Sequence, residues 1–397
     1  MRRMSSSRTP LIDALRGFAL FGILVVNIQS VVWGLSGPSL GTLAFDSAFT
    51  DVASVFLTAL LAEYKFYPLF CFCFGYGFAV LARRWRAGGE DMRVRFSRRL
   101  NFMLLLGVLH GSFIWFGDIL SRYAVTGYIL RRHLGKGPRS LLRAARFWAI
   151  VAVVLLAVIA ALLALSGTDA ADSSSGLERA GDEAIVTAKI DASLEIYLYG
   201  SYAEIARQRI TDYLEIFAYT PFIVPQIMLM FLLGAVCAQL GLLARPARYR
   251  QFWRRVLIVA LCAGVPANIF YAFNALTRAQ HPGMTSDTTQ IVLQFLIPIL
   301  AFAYIAALAL IAPSALGARL IAALAPAGKL ALSNYLLQSV VMTTLLYSYG
   351  LALGDRLDQF GLFITACIIY ACQLLLSHWY LRHFAQGPME KLWRKFT

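Results

Sequence analysis

The sequence predicts an all-α membrane protein that crosses the bilayer about ten times and keeps both termini in the cytoplasm. Three observations carry that prediction. Apolar residues make up 59% of the 397 and charged residues only 14%, where a water-soluble chain carries roughly 25% charged residues. The mean hydropathy is +0.66, so most of the chain has no water to face. The Lys and Arg residues sit in short clusters between apolar runs, the arrangement that holds positive loops on the cytoplasmic side.

In chain order, spans are expected near 11–34, 66–83, 99–117, 119–133, 147–166, 214–243, 253–275, 289–312, 329–350 and 360–382. Each is close to the roughly 20 residues a helix needs to cross the hydrocarbon core, the fourth being the shortest. The stretch 47–64, bounded by Asp51 and Glu63, reads as a helix near the outer surface that leads into the second span. Basic clusters fall at Arg2, Arg3 and Arg8, at 83–99, at 131–146, at 245–255 and at 382–395. With ten spans all of them lie on one side. The largest outer loop covers 167–210 and the cytoplasmic tail 383–397, and no repeat or separate domain divides 1–397, which reads as one transmembrane domain. The first span carries Asp13, Arg16 and Asn27 without a small-residue cleavage site, so it is expected to be retained rather than removed as a signal.

The net charge of +15 would suit nucleic acid, but the positive residues belong to membrane loops, and no nucleic-acid partner is expected. Six cysteines all fall inside apolar segments and read as small buried hydrophobes, with no disulfide framework and no metal site. None of the phosphate-binding, serine-hydrolase or metalloprotease motifs of soluble enzymes occurs.

In such a chain function is read from polar groups that are costly to bury. Asp13 and Arg16, three residues apart, share a helix face and form either a boundary ion pair or an anion site. His110 is the one histidine well inside an apolar run. It reads either as a general base or as a satisfied interhelical hydrogen bond. Asp118 follows eight residues later, roughly 12 Å of rise, so a straight helix would hold the two apart, around a cavity. Arg122 is expected to pair with Asp118 or another acid. Glu63 and Lys65 stand at the entry to the second span as head-group ligands or interface anchors. Asn334 and Gln338, four apart on one face, read as substrate contacts or as amides joining helices. Lys329 opens the same span at its inner end. Pro68, Pro221, Pro225, Pro266 and Pro298 mark expected kinks or breaks.

Several blocks resemble a known family. Leu11–Asn27 (LIDALRGFALFGILVVN), Glu63-Tyr-Lys-Phe, Leu69–Gly77, His110 with Gly117–Ala124, Gly328–Ser339 and Gly387–Arg394 match, in order, the YeiB-like family of bacterial inner-membrane proteins. More distantly, the Asp-x-x-Arg-Gly first span and the aromatic second span are similar to heparan-glucosaminide acetyltransferases and bacterial sugar O-acyltransferases. That resemblance implies transfer of an acyl group from cytoplasmic acyl-coenzyme A to a small-molecule or glycan acceptor on the far side, with membrane lipid around the protein and an oligomer allowed. Those enzymes carry a catalytic His in the loop after the first span. Here residues 35–48 hold no His, which assigns the role to His110.

Three readings follow. In a transmembrane acyltransferase, His110 is the base, Asp118 orients it, Asn27, Asn334 and Gln338 polarise the thioester, Glu63, Lys65 and Arg122 contact substrate, and Arg16 and Lys329 hold coenzyme A phosphates, with no metal. In a transporter or permease, the same groups form a midplane site for a small polar or lipid-linked solute. In a scaffold, they only join helices.

Overall fold

A chain with no water around its apolar runs must satisfy its backbone polar groups within each segment, and a helix does so. The computed structural model describes residues 9–33, 48–169, 188, 191–280 and 296–396. Every regular element among them is helical: α1 Pro10–Trp33, α2 Phe49–Leu61, α3 Phe66–Ala87, α4 Met92–Phe113, α5 Leu120–Leu130, α6 Pro138–Asp169, α7 Tyr202–Ala218, α8 Thr220–Leu240, α9 Arg250–Gln280, α10 Ile299–Ile311, α11 Ala315–Lys329, α12 Ala331–Leu346, α13 Gln359–His383 and α14 Pro388–Lys395, with single 3-10 turns after α5 and before α9.

Six helical segments among the described residues are long and apolar enough to cross a membrane, namely Pro10–Val31, Phe49–Ala87, Pro138–Leu162, Thr220–Leu240, Pro246–Thr277 and Gln359–His383. The chain is a multi-pass membrane protein. The remaining expected spans depart from simple apolar rods. α4 opens with Arg93, Arg95, Arg98 and Arg99, which dilute its apolar stretch. α5 has 11 residues, about 16 Å of helix. The run expected over 214–243 breaks at Tyr219 into α7 and α8, because Pro221 suits the first turn of a new helix better than the interior of an old one. Helix α11, which the sequence reading did not anticipate, meets α12 at a bend of 75°, and only the pair together is long enough to cross. Pro68 and Pro298 also stand at helix starts, while Pro225 and Pro266 lie inside α8 and α9. Residues 170–187 of the expected outer loop, the loop 35–47, His281 and residues 289–295 lie outside the described residues.

Contacts define two ends of the bundle. At one end Arg99 lies 3.9 Å from the Trp393 ring centroid, Arg131 Nη1 donates to Ser97 Oγ at 2.6 Å, Gln239 donates to the Lys136 carbonyl at 2.9 Å, and Glu390 accepts from Leu332 N at 2.8 Å. The clusters at 83–99, 131–146 and 382–395 therefore gather together. At the other end Asp51 accepts from Phe360 N at 2.9 Å, the Tyr197 carbonyl from Ser348 N at 3.3 Å, and Tyr199 donates to Asp355 at 3.3 Å.

Helices surrounded by lipid gain little from apolar burial against each other and rely on close approach. At the α3–α8 crossing a Cβ on Gly234 would lie 2.0 Å from the Phe72 carbonyl oxygen, and at the α1–α11 crossing a Cβ on Gly328 would lie 1.7 Å from that of Asp13. Neither backbone can yield without separating the helices. Gly234→Ala is therefore expected to cost about 1–3 kcal/mol. Gly137→Ala, where an added Cβ meets open space, should stay within about 0.5 kcal/mol of wild type. Thermal unfolding of the detergent-solubilised variants separates the two; equal melting temperatures would contradict the α3–α8 crossing.

Candidate active site

The middle of the bundle is marked by Leu20 and Gly22, at the midpoint of α1. Gln338 Nε2 donates to the Leu20 carbonyl at 3.3 Å, and a Cβ on Gly22 would meet the Phe66 ring within about 2 Å. The residue after Gln338, Ser339, thus sits at mid-depth on α12, and so does His110, whose Nε2 lies 2.9 Å from Ser339 Oγ.

His110 and Asp118 are in contact, which corrects the expectation that a straight helix keeps them apart. Helix α4 ends at Phe113, where the amides of Ile114 and Trp115 both bond the His110 carbonyl at 2.9 Å. The chain then folds back. Gly117 permits the reversal, since the Trp115 ring occupies the space a Cβ would need, 2.2 Å away. Asp118 takes hold of the first turn of α5 by accepting from Leu120 N at 3.1 Å, Ser121 N at 2.7 Å and Ser121 Oγ at 2.5 Å. Its Oδ1 then lies 3.1 Å from His110 Nδ1, with both side chains fully buried.

This arrangement fixes the protons. A carboxylate only accepts hydrogen bonds, and all of its other contacts are donors, so His110 Nδ1 carries the proton facing Asp118. In the neutral imidazole Nε2 then presents its lone pair 2.9 Å from the Ser339 hydroxyl, which also lies 3.3 Å from the Tyr335 carbonyl. The result is a buried serine–histidine–aspartate relay assembled from α4, the α4–α5 reversal and α12. Ser339 had no signal of its own in the sequence; its position one residue after Gln338 on an apolar helix was the available clue.

Other expected site residues fall into three groups. Arg122 makes no ion pair with Asp118 within 4 Å; its Nη2 donates to the Ile216 carbonyl at 2.7 Å in the last turn of α7. Arg209, fully buried and unanticipated, donates likewise to the Phe113 carbonyl that ends α4. Each guanidinium therefore sits at a helix carboxyl end, where positive charge is favoured, and the two lock α7 over the His110 turn. Asn334 donates to the Ala327 carbonyl at 3.1 Å and to Ser377 Oγ at 3.0 Å, and Gln338 also donates to Gln373 Oε1 at 2.8 Å. Both amides form a polar seam joining α12 to α1, α11 and α13. Asn27 is half-buried on α1 and no hydrogen bond joins it to the relay among the described residues.

Glu63 and Lys65 lie apart from the relay, at the break between α2 and α3. Both are buried, Lys65 donates to the Ala59 carbonyl, and neither Glu63 oxygen has a hydrogen-bond partner among the described residues. Tyr64 between them has φ of 60°, a conformation that costs about 1 kcal/mol or more for a residue with a side chain. Since Phe66 packs at the midpoint of α1, this break is buried at mid-depth rather than at an outer surface. Arg16 pairs with Asp13 at 3.0 Å and reaches the Cys73 carbonyl at 3.3 Å. Lys329 is exposed at the basic end, beside a cavity of about 530 Å³ that it lines with Thr9, Leu243 and Pro326. Cys71, Cys73 and Cys237 are buried as expected, whereas Cys262 and Cys372 are exposed on the bundle surface. Among the described residues no group of three or more His, Cys, Asp or Glu side chains is placed to hold a metal ion.

The seam carries a stability prediction. Gln338→Leu leaves the Leu20 carbonyl and Gln373 Oε1 without that donor, and is expected to cost about 1–2 kcal/mol. Lys329→Ala, at an exposed position, should leave the melting temperature unchanged. A Gln338→Leu protein as stable as wild type would remove Gln338 from the seam.

Residues 237–397 match a family model described as "Protein of unknown function (DUF418)". Over 411 aligned positions the chain is 30% identical to the uncharacterized protein YxaH of Bacillus subtilis, with 99% of this chain and 95% of that protein covered. It is 29% identical to the uncharacterized protein YeiB of Escherichia coli over 98% of this chain and 96% of that protein. The chain belongs to the YeiB-like family of membrane proteins.

Proposed function

We propose that the protein is a transmembrane acyltransferase of the bacterial inner membrane, moving an acyl group from cytoplasmic acyl-coenzyme A to an extracytoplasmic hydroxyl or amine. The observation that carries this reading is the His110–Asp118 pair at mid-depth. An acceptor hydroxyl must lose its proton as it attacks a thioester, and a neutral imidazole with its outer proton held by a carboxylate is built to receive it. Burial strengthens the pair's electrostatics and excludes the water that would otherwise hydrolyse the donor.

The same reading runs the chain across the membrane ten times, with both termini cytoplasmic. Its support is the spacing of the basic clusters, which an even number of crossings places on one side. The end that collects the arginine clusters is then the cytoplasmic one, and the donor approaches there, past Lys329 and Arg16. The acceptor, a small molecule or a glycan, approaches from the opposite end, with membrane lipid surrounding the bundle.

A second reading, transport of a small polar or lipid-linked solute, has its own observation in the Glu63–Lys65 break, since ionisable groups at an interrupted helix near the midplane are a feature of solute sites. Flux of candidate solutes into proteoliposomes without any acyl donor would favour it.

The acyl-transfer reading expects coenzyme A to raise the melting temperature of the purified protein by mass action, and Lys329→Ala to weaken that shift. His110→Ala is expected to reduce acyl transfer by about 10²–10⁴-fold while the protein stays folded. Undiminished transfer by His110→Ala would remove His110 from the chemistry.

A further inference from the structure

We propose that Ser339 is the nucleophile: the acyl group rests on its Oγ as an ester before the acceptor takes it. This rests on the acyl-transfer reading above and adds a covalent intermediate to it.

Serines in membrane helices commonly donate to the carbonyl four residues earlier, and that is the plain alternative. Here the two options can be compared directly. Ser339 Oγ is 3.3 Å from the Tyr335 carbonyl and 2.9 Å from His110 Nε2. A hydroxyl has one proton, and the shorter contact is to a ring nitrogen whose imidazole Asp118 has already oriented. A serine serving only its own helix would need neither the imidazole nor the carboxylate behind it. Ser339 also comes from a segment far in sequence from His110 and Asp118, so its alignment with them is not a by-product of local helix geometry.

Beside the imidazole lies an unused donor. Trp115 lies edge-on to His110, with ring centroids 6.5 Å apart and planes at 78°. Its indole Nε1 is buried and has no hydrogen-bond partner among the described residues. The neighbouring Tyr335 hydroxyl, by contrast, is taken up by the Gly117 carbonyl at 3.3 Å. In this scheme the negative oxygen of the tetrahedral intermediate is taken by the Trp115 N–H.

The chemistry balances without any further reactant. Ser339 Oγ attacks the thioester carbonyl carbon while its proton passes to His110 Nε2. The intermediate collapses, the C–S bond breaks, and coenzyme A leaves as the thiol with the proton from Nε2. The acceptor's hydroxyl or amine then attacks the acyl-serine carbon and gives its proton to Nε2. The C–Oγ bond breaks, and Oγ recovers that proton. A serine at mid-depth also resolves the vectorial problem: donor and acceptor each need to reach only the middle of the membrane, from opposite ends, and never meet.

The test uses the full-length protein in detergent, with acetyl-coenzyme A alone and, separately, with a small fluorophosphonate, whose reaction with an activated serine is independent of donor identity. Wild type is expected to release a burst of thiol equal to the protein concentration, and intact mass followed by peptide mapping should find the acetyl and phosphonyl groups on Ser339. Ser339→Ala should lose the burst and both adducts with an unchanged melting temperature. Trp115→Phe, which keeps the ring and removes the N–H, should slow the burst by about 10²–10³-fold without moving the adduct. Acyl transfer that survives in Ser339→Ala but not in His110→Ala would overturn the acyl-serine and leave His110 acting directly on the acceptor. Fluorophosphonate labelling of Ser339 without any acyl transfer would support an activated serine while counting against coenzyme A as the donor. Absence of both label and burst would overturn the proposal.

Discussion

The Asp118 carboxylate is the interaction on which the rest of the site depends. An ionisable group at mid-depth carries a cost of about 3 kcal/mol or more, and Asp118 offsets it with two backbone amides, a hydroxyl and an imidazole. Those four donors come from both sides of a chain reversal, so the same carboxylate closes the turn between α4 and α5, starts α5, and fixes the tautomer of His110. Removing it would release more than a charge: the short α5 has only 11 residues and depends on that turn for its depth in the bundle. Arg209 of α7 bonds the Phe113 carbonyl that ends α4, and Arg122 of α5 bonds the Ile216 carbonyl in the last turn of α7, so the two tie α7 to the reversal.

A second constraint runs along α12. Its buried face carries Asn334, Gln338 and Ser339 within two turns, and the two amides bind three neighbouring helices. Lipid supplies no hydrophobic drive to hold α12 in register, so these directional bonds set its rotation and height. Because Ser339 follows Gln338 directly, the seam that fixes one fixes the other, and the hydroxyl is delivered to His110 Nε2 by residues that never touch it. Positioning of this kind would favour reaction through orientation, since the Ser339 hydroxyl and the imidazole begin within hydrogen-bonding distance rather than searching for each other.

The sequence made the all-helical class, the membrane setting and most span positions legible, because those follow from composition and from the spacing of basic clusters. His110, Asp118 and the Asp13–Arg16 pair were legible too, as polar groups in apolar runs. What escaped were features set by breaks. The distance between His110 and Asp118 depends on where α4 stops, and Ile114–Gly117 carries no proline to announce it. Helix α11 escaped because it is short and only its 75° bend with α12 makes a membrane-length element. Glu63 and Lys65 looked like an interface anchor because hydropathy has no measure of depth within a broken helix. Ser339 escaped for a different reason: a serine hydroxyl in a helix satisfies its own backbone so readily that only a partner from another segment distinguishes it.

The two mid-depth polar sites differ in kind, and the difference bears on their roles. In the relay every charge and lone pair of Asp118 and His110 has a partner, which is the condition for a rigid, preorganised centre. At the α2–α3 break the Glu63 carboxylate has none among the described residues, Lys65 has one carbonyl and an aromatic face 5.6 Å away, and Tyr64 holds a strained backbone. An unsatisfied buried carboxylate is costly enough to select for a second state in which it is satisfied, by a proton, a cation or a rearranged α2. Helix α3 packs on α1, whose Leu20 anchors the seam behind Ser339, while α2 packs chiefly on α9 and α13. Movement of α3 at the break would therefore reach the α12 seam through α1.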